Sequence, residues 1–168
     1  KPSRPARAEA VAAPLRERAA GSRVLNTGNF GRSGSLEAAS QQERIDWVVR
    51  TGDEVRSSAS HAGGAVYVGS YDGYLYAIDE TDGTVRWRFR AQRGIVSRPL
   101  PTADAVIFGS EDRAVYAISR QHGREVWSFR TNMAVRSSAV SDDRACYIGS
   151  DDGFVYRLER ARGTVGWR

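Results

Sequence analysis

The sequence has one cysteine, Cys146, one methionine, Met133, and one lysine, Lys1. A lone cysteine excludes an intramolecular disulfide and any zinc site built on cysteines. No stretch approaches the roughly 20 consecutive apolar residues of a membrane-crossing helix, so no membrane span is expected in this segment. Histidine is nearly as scarce: His61 and His122 fall at different positions of the pattern below and read as exposed loop residues. With lysine almost missing, arginine carries the positive charge, which reads as a coding preference. The net charge of +5 divides into +3 over residues 1–46 and +2 over residues 47–168. No segment of the body gathers charge of one sign, which argues against nucleic acid as a partner. A chain starting at Lys1 rather than Met is expected to be processed or cut from a longer one.

What the sequence does contain is a repeat. The four tryptophans, Trp47, Trp87, Trp127 and Trp167, are spaced by 40 residues each time. Gly-Ser recurs with Gly69, Gly109 and Gly149; a second glycine column is Gly83, Gly123 and Gly163; tyrosine recurs at 76, 116 and 156. A period in the 40s built of short strands predicts a propeller-type array in which each unit is one four-stranded blade. The runs 65–70 and 74–79 are β-branched and aromatic and are joined by Tyr71-Asp72-Gly73, a tight hairpin. Residues 85–90, VRWRFR, alternate as a half-buried outer strand, and Gly83 before them is expected at positive φ. The small, Ser-rich segment 55–60 is expected as the innermost strand.

The fold expected is therefore all-β: a partial β-propeller of three four-stranded antiparallel blades, about 51–90, 91–130 and 131–168. An orphan outer strand at 44–50 precedes them within a propeller segment of 44–168. Residues 1–43 hold one aromatic, Phe30, and read as a disordered linker or arm. Three blades fall short of the ~4–8 of a closed ring. The remaining blades are expected outside this chain, and the isolated chain is expected to self-associate, for instance as two arcs in one ring, or to behave as an open arc.

The stretch Ala77-Ile78-Asp79-Glu80-Thr81-Asp82-Gly83-Thr84-Val85-Arg86-Trp87 resembles the tryptophan-docking motif of quinoprotein-type β-propellers, A-x-D-x-x-x-G-x-x-x-W. With VYVGSYDGYLYA before it, the chain resembles the PQQ-like repeat. That repeat occurs in quinoprotein alcohol dehydrogenases, in the BamB-type outer-membrane assembly lipoprotein and in sensor halves of bacterial Ser/Thr kinases. The second copy keeps Ala117, Gly123 and Trp127 with Ser119 for Asp; the third has Arg157 and Glu159 for Ala and Asp. For the dehydrogenases the resemblance implies a quinone beside a bonded pair of adjacent cysteines, an Asp base and Ca²⁺ ligands. This chain has no Cys-Cys pair, so no cofactor is expected and PQQ is not expected here. Cys146 reads as a small buried filler.

Asp72, Asp112 and Asp152 read as turn residues bonding their own backbone rather than Ca²⁺ ligands. Arg50, Arg90 and Arg130 read as guards of an open sheet edge. Arg113 stands where the other hairpins have glycine, so left-handed strain is expected there. The loops entering the inner strands and the middle hairpin loops should share one face, where Arg56, Arg136, Asp53, Arg93 and Met133 are the candidate binding residues. The function expected is a non-catalytic module for protein–protein interaction or scaffolding, binding a polypeptide or its remaining blades. Two alternatives stand beside it: the ligand-sensing extracytoplasmic domain of a receptor-like Ser/Thr kinase, and a fragment of a PQQ-dependent dehydrogenase. An extracytoplasmic bacterial location follows from the family analogy alone.

Overall fold

The chain divides into two units, residues 1–41 and 42–168, and the computed structural model describes residues 46–168. The arm expected at 1–43 lies outside the described residues. Those described form three four-stranded antiparallel sheets and no helix, so no helix is long and apolar enough to cross a membrane. The first sheet is β1 (Ser60–Ala62), β2 (Ala65–Gly69), β3 (Tyr74–Asp79) and β4 (Val85–Arg90). The second is β5 (Leu100–Pro101), β6 (Ala105–Ser110), β7 (Ala114–Ser119) and β8 (Glu125–Arg130). The third is β9 (Val140–Ser141), β10 (Ala145–Gly149), β11 (Val155–Glu159) and β12 (Val165–Trp167). Each sheet runs in sequence order, one blade per repeat.

Strand alternation sorts the side chains of the middle blade into two cores. Val106, Phe108, Tyr116 and Ile118 pack with Tyr67, Leu75 and Ala77 of the first blade. Ile107, Val115 and Ala117 point the other way and pack with Cys146, Ile148, Tyr156 and Leu158 of the third. Both faces of β6 and β7 are thus covered, and these strands are apolar up to a terminal serine, Ser110 and Ser119, instead of alternating apolar with polar. Phe89 and Phe129 reach forward from the outer strands onto Tyr116 and Tyr156, with ring centroids 5.4 Å apart in both pairs. Cys146 fills the second core, where burial pushes its thiol up to about 11.

The tryptophan and second glycine columns form one contact. Trp47, Trp87 and Trp127 donate their indole N–H to the carbonyls of Glu80, Arg120 and Arg160 at 3.0, 2.8 and 2.9 Å. Each ring lies over the glycine three residues beyond its acceptor. A Cβ on Gly123 would stand 2.7 Å from the Trp87 ring, and its φ of +64° is one that L side chains rarely adopt. Gly83 and Gly163 repeat both features.

Residues 46–50, inside the segment expected as an orphan outer strand, join none of the described sheets, and Trp47 is seated on the first blade as its counterparts are on theirs. A strand forms only on a partner ladder, and no described strand lies beside this segment. The inner strands are shorter and later than 55–60 predicted. Side chains replace the ladder there: Ser97 Oγ donates to the Gly109 carbonyl at 2.8 Å and accepts its N–H at 2.9 Å, and Ser137 does the same at Gly149. Finally, His61 lies in β1 rather than a loop, with Nε2 bonded to the Glu80 carboxylate.

Arg113 sits at φ 73°, the same left-handed region as Gly73 at 83° and Gly153 at 87°. Arg113→Gly is expected to stabilise the fold by about 0.5–1 kcal/mol, because a side chain at this φ is strained and glycine is not. A chemical-denaturation midpoint that stays put or falls would contradict it.

Candidate functional site

The loops that enter the inner strands meet the middle hairpins at one end of the blades, held there by a repeated aspartate clamp. Asp112 accepts the Gln92 backbone N–H at 2.8 Å, the Ala114 N–H at 3.1 Å and the Tyr116 hydroxyl at 2.8 Å. Asp72 takes Gly52, Tyr74 and Tyr76 at 2.7, 2.9 and 2.6 Å, and Asp152 takes Asn132, Phe154 and Tyr156 at 3.0, 3.1 and 2.7 Å. The turn bond was legible in sequence. The tyrosine and entry-loop bonds were not, although the tyrosine column four residues after each Asp was the visible signal. Among the described residues no three His, Cys, Asp or Glu side chains converge as metal ligands.

The clamp shifts its tyrosines, and in the first and third units its aspartates as well. Burial, and then the bond to Asp72, pushes the Tyr76 hydroxyl up to about 12. Tyr116 and Tyr156 move upward for the same two causes. Burial opposes ionisation of Asp72 and Asp152, but bonds from the tyrosine hydroxyls and two backbone N–H groups outweigh it and hold both carboxyls below the usual range. A raised tyrosine contributes stability present below its unfolded value of about 10 and lost as pH climbs through the folded one. A lowered aspartate contributes stability present above about 4 and lost as pH falls through its folded value. The urea midpoint is therefore expected to decline from about pH 10 toward 12 and again below about pH 4, and Tyr76→Phe should make the alkaline decline shallower.

Between the second and third blades this end of the molecule opens a cleft of about 660 Å³. It gathers the entry loops at 92–93 and 132–136 around the hairpin 111–113. Of the candidate residues, Arg93, Met133 and Arg136 line it. Arg136 donates Nε to Glu111 at 2.8 Å and pairs with Asp151, tying two hairpins together. Asp53 and Arg56 occupy the corresponding loop of the first unit, where Arg56 pairs with Glu54 at 2.7 Å and lies 4.7 Å over the Tyr71 ring. Glu111 and Arg113, on one of the middle hairpins expected on this face, also line the cleft, and packing shows which entry loops that hairpin meets. The arginine column lies back on its own hairpins as well as along the edge. Arg90 donates to the Tyr74 hydroxyl at 3.2 Å and Arg130 to the Asp112 carbonyl at 3.3 Å. A second cleft, about 760 Å³, lies at the opposite end and is lined by Asp104, Asp143, Glu159, Arg144, Arg157 and Arg160 in equal charge.

The bonded pair of adjacent cysteines that the resemblance to quinoprotein dehydrogenases implies has no counterpart among these residues. Cys146 has no cysteine neighbour and faces the core, and the hairpin aspartates spend their oxygens on tyrosine hydroxyls and backbone N–H groups.

A family model described as outer membrane protein assembly factor BamB matches residues 32–168. The structure of BamB from Moraxella catarrhalis is similar at 25% identity and a TM-score of 0.67, over 74% of this chain and 40% of that one. The computationally designed Ika4 protein is similar at 16% identity and TM-score 0.64, over 71% of this chain and 73% of that one. Quinohemoprotein alcohol dehydrogenase ADHIIG from Pseudomonas putida HK5 is similar at 18% identity and TM-score 0.64, over 71% and 21%. The last two likenesses are of fold alone. No curated protein matches the chain in sequence. The chain thus spans about 40% of the length of the natural BamB structure it resembles.

Proposed function

The chain belongs to the family of the outer membrane protein assembly factor BamB, and we propose that it is a non-catalytic propeller module that binds polypeptide as a scaffold, on the extracytoplasmic side of the cell. The observation that carries this reading is how the repeat spends its side chains. Trp, Gly, Ser, Asp and Tyr columns are consumed in holding blade to blade and loop to hairpin. Among the residues left facing outward are the repeat-variable loop residues around the 660 Å³ cleft, a largely polar surface with an exposed methionine, Met133. Such a surface suits a polypeptide better than a small substrate, whose sites are apolar and enclosing. The location rests on the family description, and the dehydrogenase alternative gains nothing from a likeness of fold.

Photo-crosslinking tests it. A benzoylphenylalanine placed at Met133, in the cells that make the protein, is expected to yield adducts with other polypeptides. The same group at Arg124, in the turn before β8 at the other end of the blade, is expected to yield few. Equal yields at both positions, or none at Met133, would refute the reading.

A further inference from the structure

The repeat provides its own control for what the cleft recognises. Its frame is constant from unit to unit, so the differences between units 40 residues apart isolate what the frame does not need. Between the first and second blades the corresponding positions are Asp53, Gly73, Arg93 and Val96, with Asp72 and Arg90 unchanged in kind. Between the second and third blades they become Arg93, Arg113, Met133 and Arg136, with Glu111 in place of Tyr71. The cleft there holds four arginines against Glu111 and Asp112, a surplus of two positive charges that its counterpart lacks. The cleft at the opposite end of the same blades has no surplus.

Two of these arginines are already held: Arg136 by Glu111 and Asp151, and Arg130 by the Asp112 carbonyl. Arg93 and Arg113 are exposed, and among the described residues neither side chain has a hydrogen bond or ion pair. Arg113 moreover sits in a backbone conformation that its two counterparts meet with glycine, so the side chain is kept at a cost to the fold. Guanidinium groups in fixed surroundings favour planar carboxylates through paired hydrogen bonds. Met133, 53% exposed beside them, offers apolar surface to the stem of a glutamate.

We propose that the cleft between the second and third blades recognises an acidic stretch of a polypeptide, with Arg113 and Arg93 receiving its carboxylates. The proposal rests on the polypeptide-binding reading and names the chemistry of the segment bound.

The test is fluorescence anisotropy of a dye-labelled hexaglutamate peptide with the full chain, with citrate as a small polycarboxylate competitor. Binding should weaken steeply with added salt. Arg113→Gly should weaken it at least about tenfold, as should Arg93→Asp, the residue of the first unit. Arg124→Ser removes the same charge at the other end of the blade and should change it less than about twofold. Because Arg113→Gly is expected to be the more stable protein, a misfolded variant is not a source of the loss, and its denaturation midpoint is measured alongside. Equal weakening by Arg113→Gly and Arg124→Ser would reduce the effect to net charge and overturn the proposal. So would unchanged binding in Arg113→Gly, citrate binding without hexaglutamate binding, or no binding at all. If hexaglutamate fails while crosslinks from Met133 still form, the polypeptide reading stands and the preference for acidic segments falls.

Discussion

Trp127→Ala is expected to lower the free energy of unfolding by about 3–5 kcal/mol, whereas Trp167→Ala should cost less than about 1 kcal/mol. The two residues are the same repeat position on the same kind of strand, and their surroundings differ. Trp127 is 7% exposed, packs in the second core, covers Gly163 and donates to the Arg160 carbonyl at 2.9 Å. Trp167 is 53% exposed and meets Tyr147 at a centroid distance of 6.0 Å. Alanine at 127 leaves a cavity over a glycine that has no side chain to fill it, and strands a backbone carbonyl. Trp87, half-buried, should fall between them. Urea unfolding followed by circular dichroism reads all three, and equal losses at 127 and 167 would show that the column owes its effect to strand propensity and not to packing.

Asp112→Ala is expected to cost a similar amount, about 3–5 kcal/mol, since bonds to a charged group contribute roughly 1.5–3 kcal/mol each and are not additive. The carboxylate is 6% exposed and serves three donors, two on the backbone and one on a buried tyrosine. Its removal leaves the Gln92 N–H at the cleft and the buried Tyr116 hydroxyl without their partner. Asp152→Ala breaks the same three bonds in a more open place, beside the exposed Phe154, and should cost about 1–2 kcal/mol. A loss at 152 equal to that at 112 would mean that solvent does not compensate the exposed clamp.

The hairpin strands, the outer strands, the turn glycines at positive φ and the strained Arg113 could all be seen in the sequence before any fold was known. Alternation and turn chemistry act within about six residues, so each unit carries its own local instructions. The 40-residue period then determined how many blades there are and that they follow one another in order. What lay beyond the sequence operates across longer separations. The Ser–Gly bonds link residues 12 apart, the clamps reach entry loops 20 apart, and the indole bonds span 33. Inner strands shortened because serine hydroxyls took over part of the ladder, and residues 46–50 joined no sheet because no described strand lies beside them. The cleft is the clearest case. Repeat position placed Arg93 and Arg136 on one loop face of the sequence, but only the packing of the second blade against the third selects them, with Arg113, for a single cleft and leaves Asp53 and Arg56 outside it.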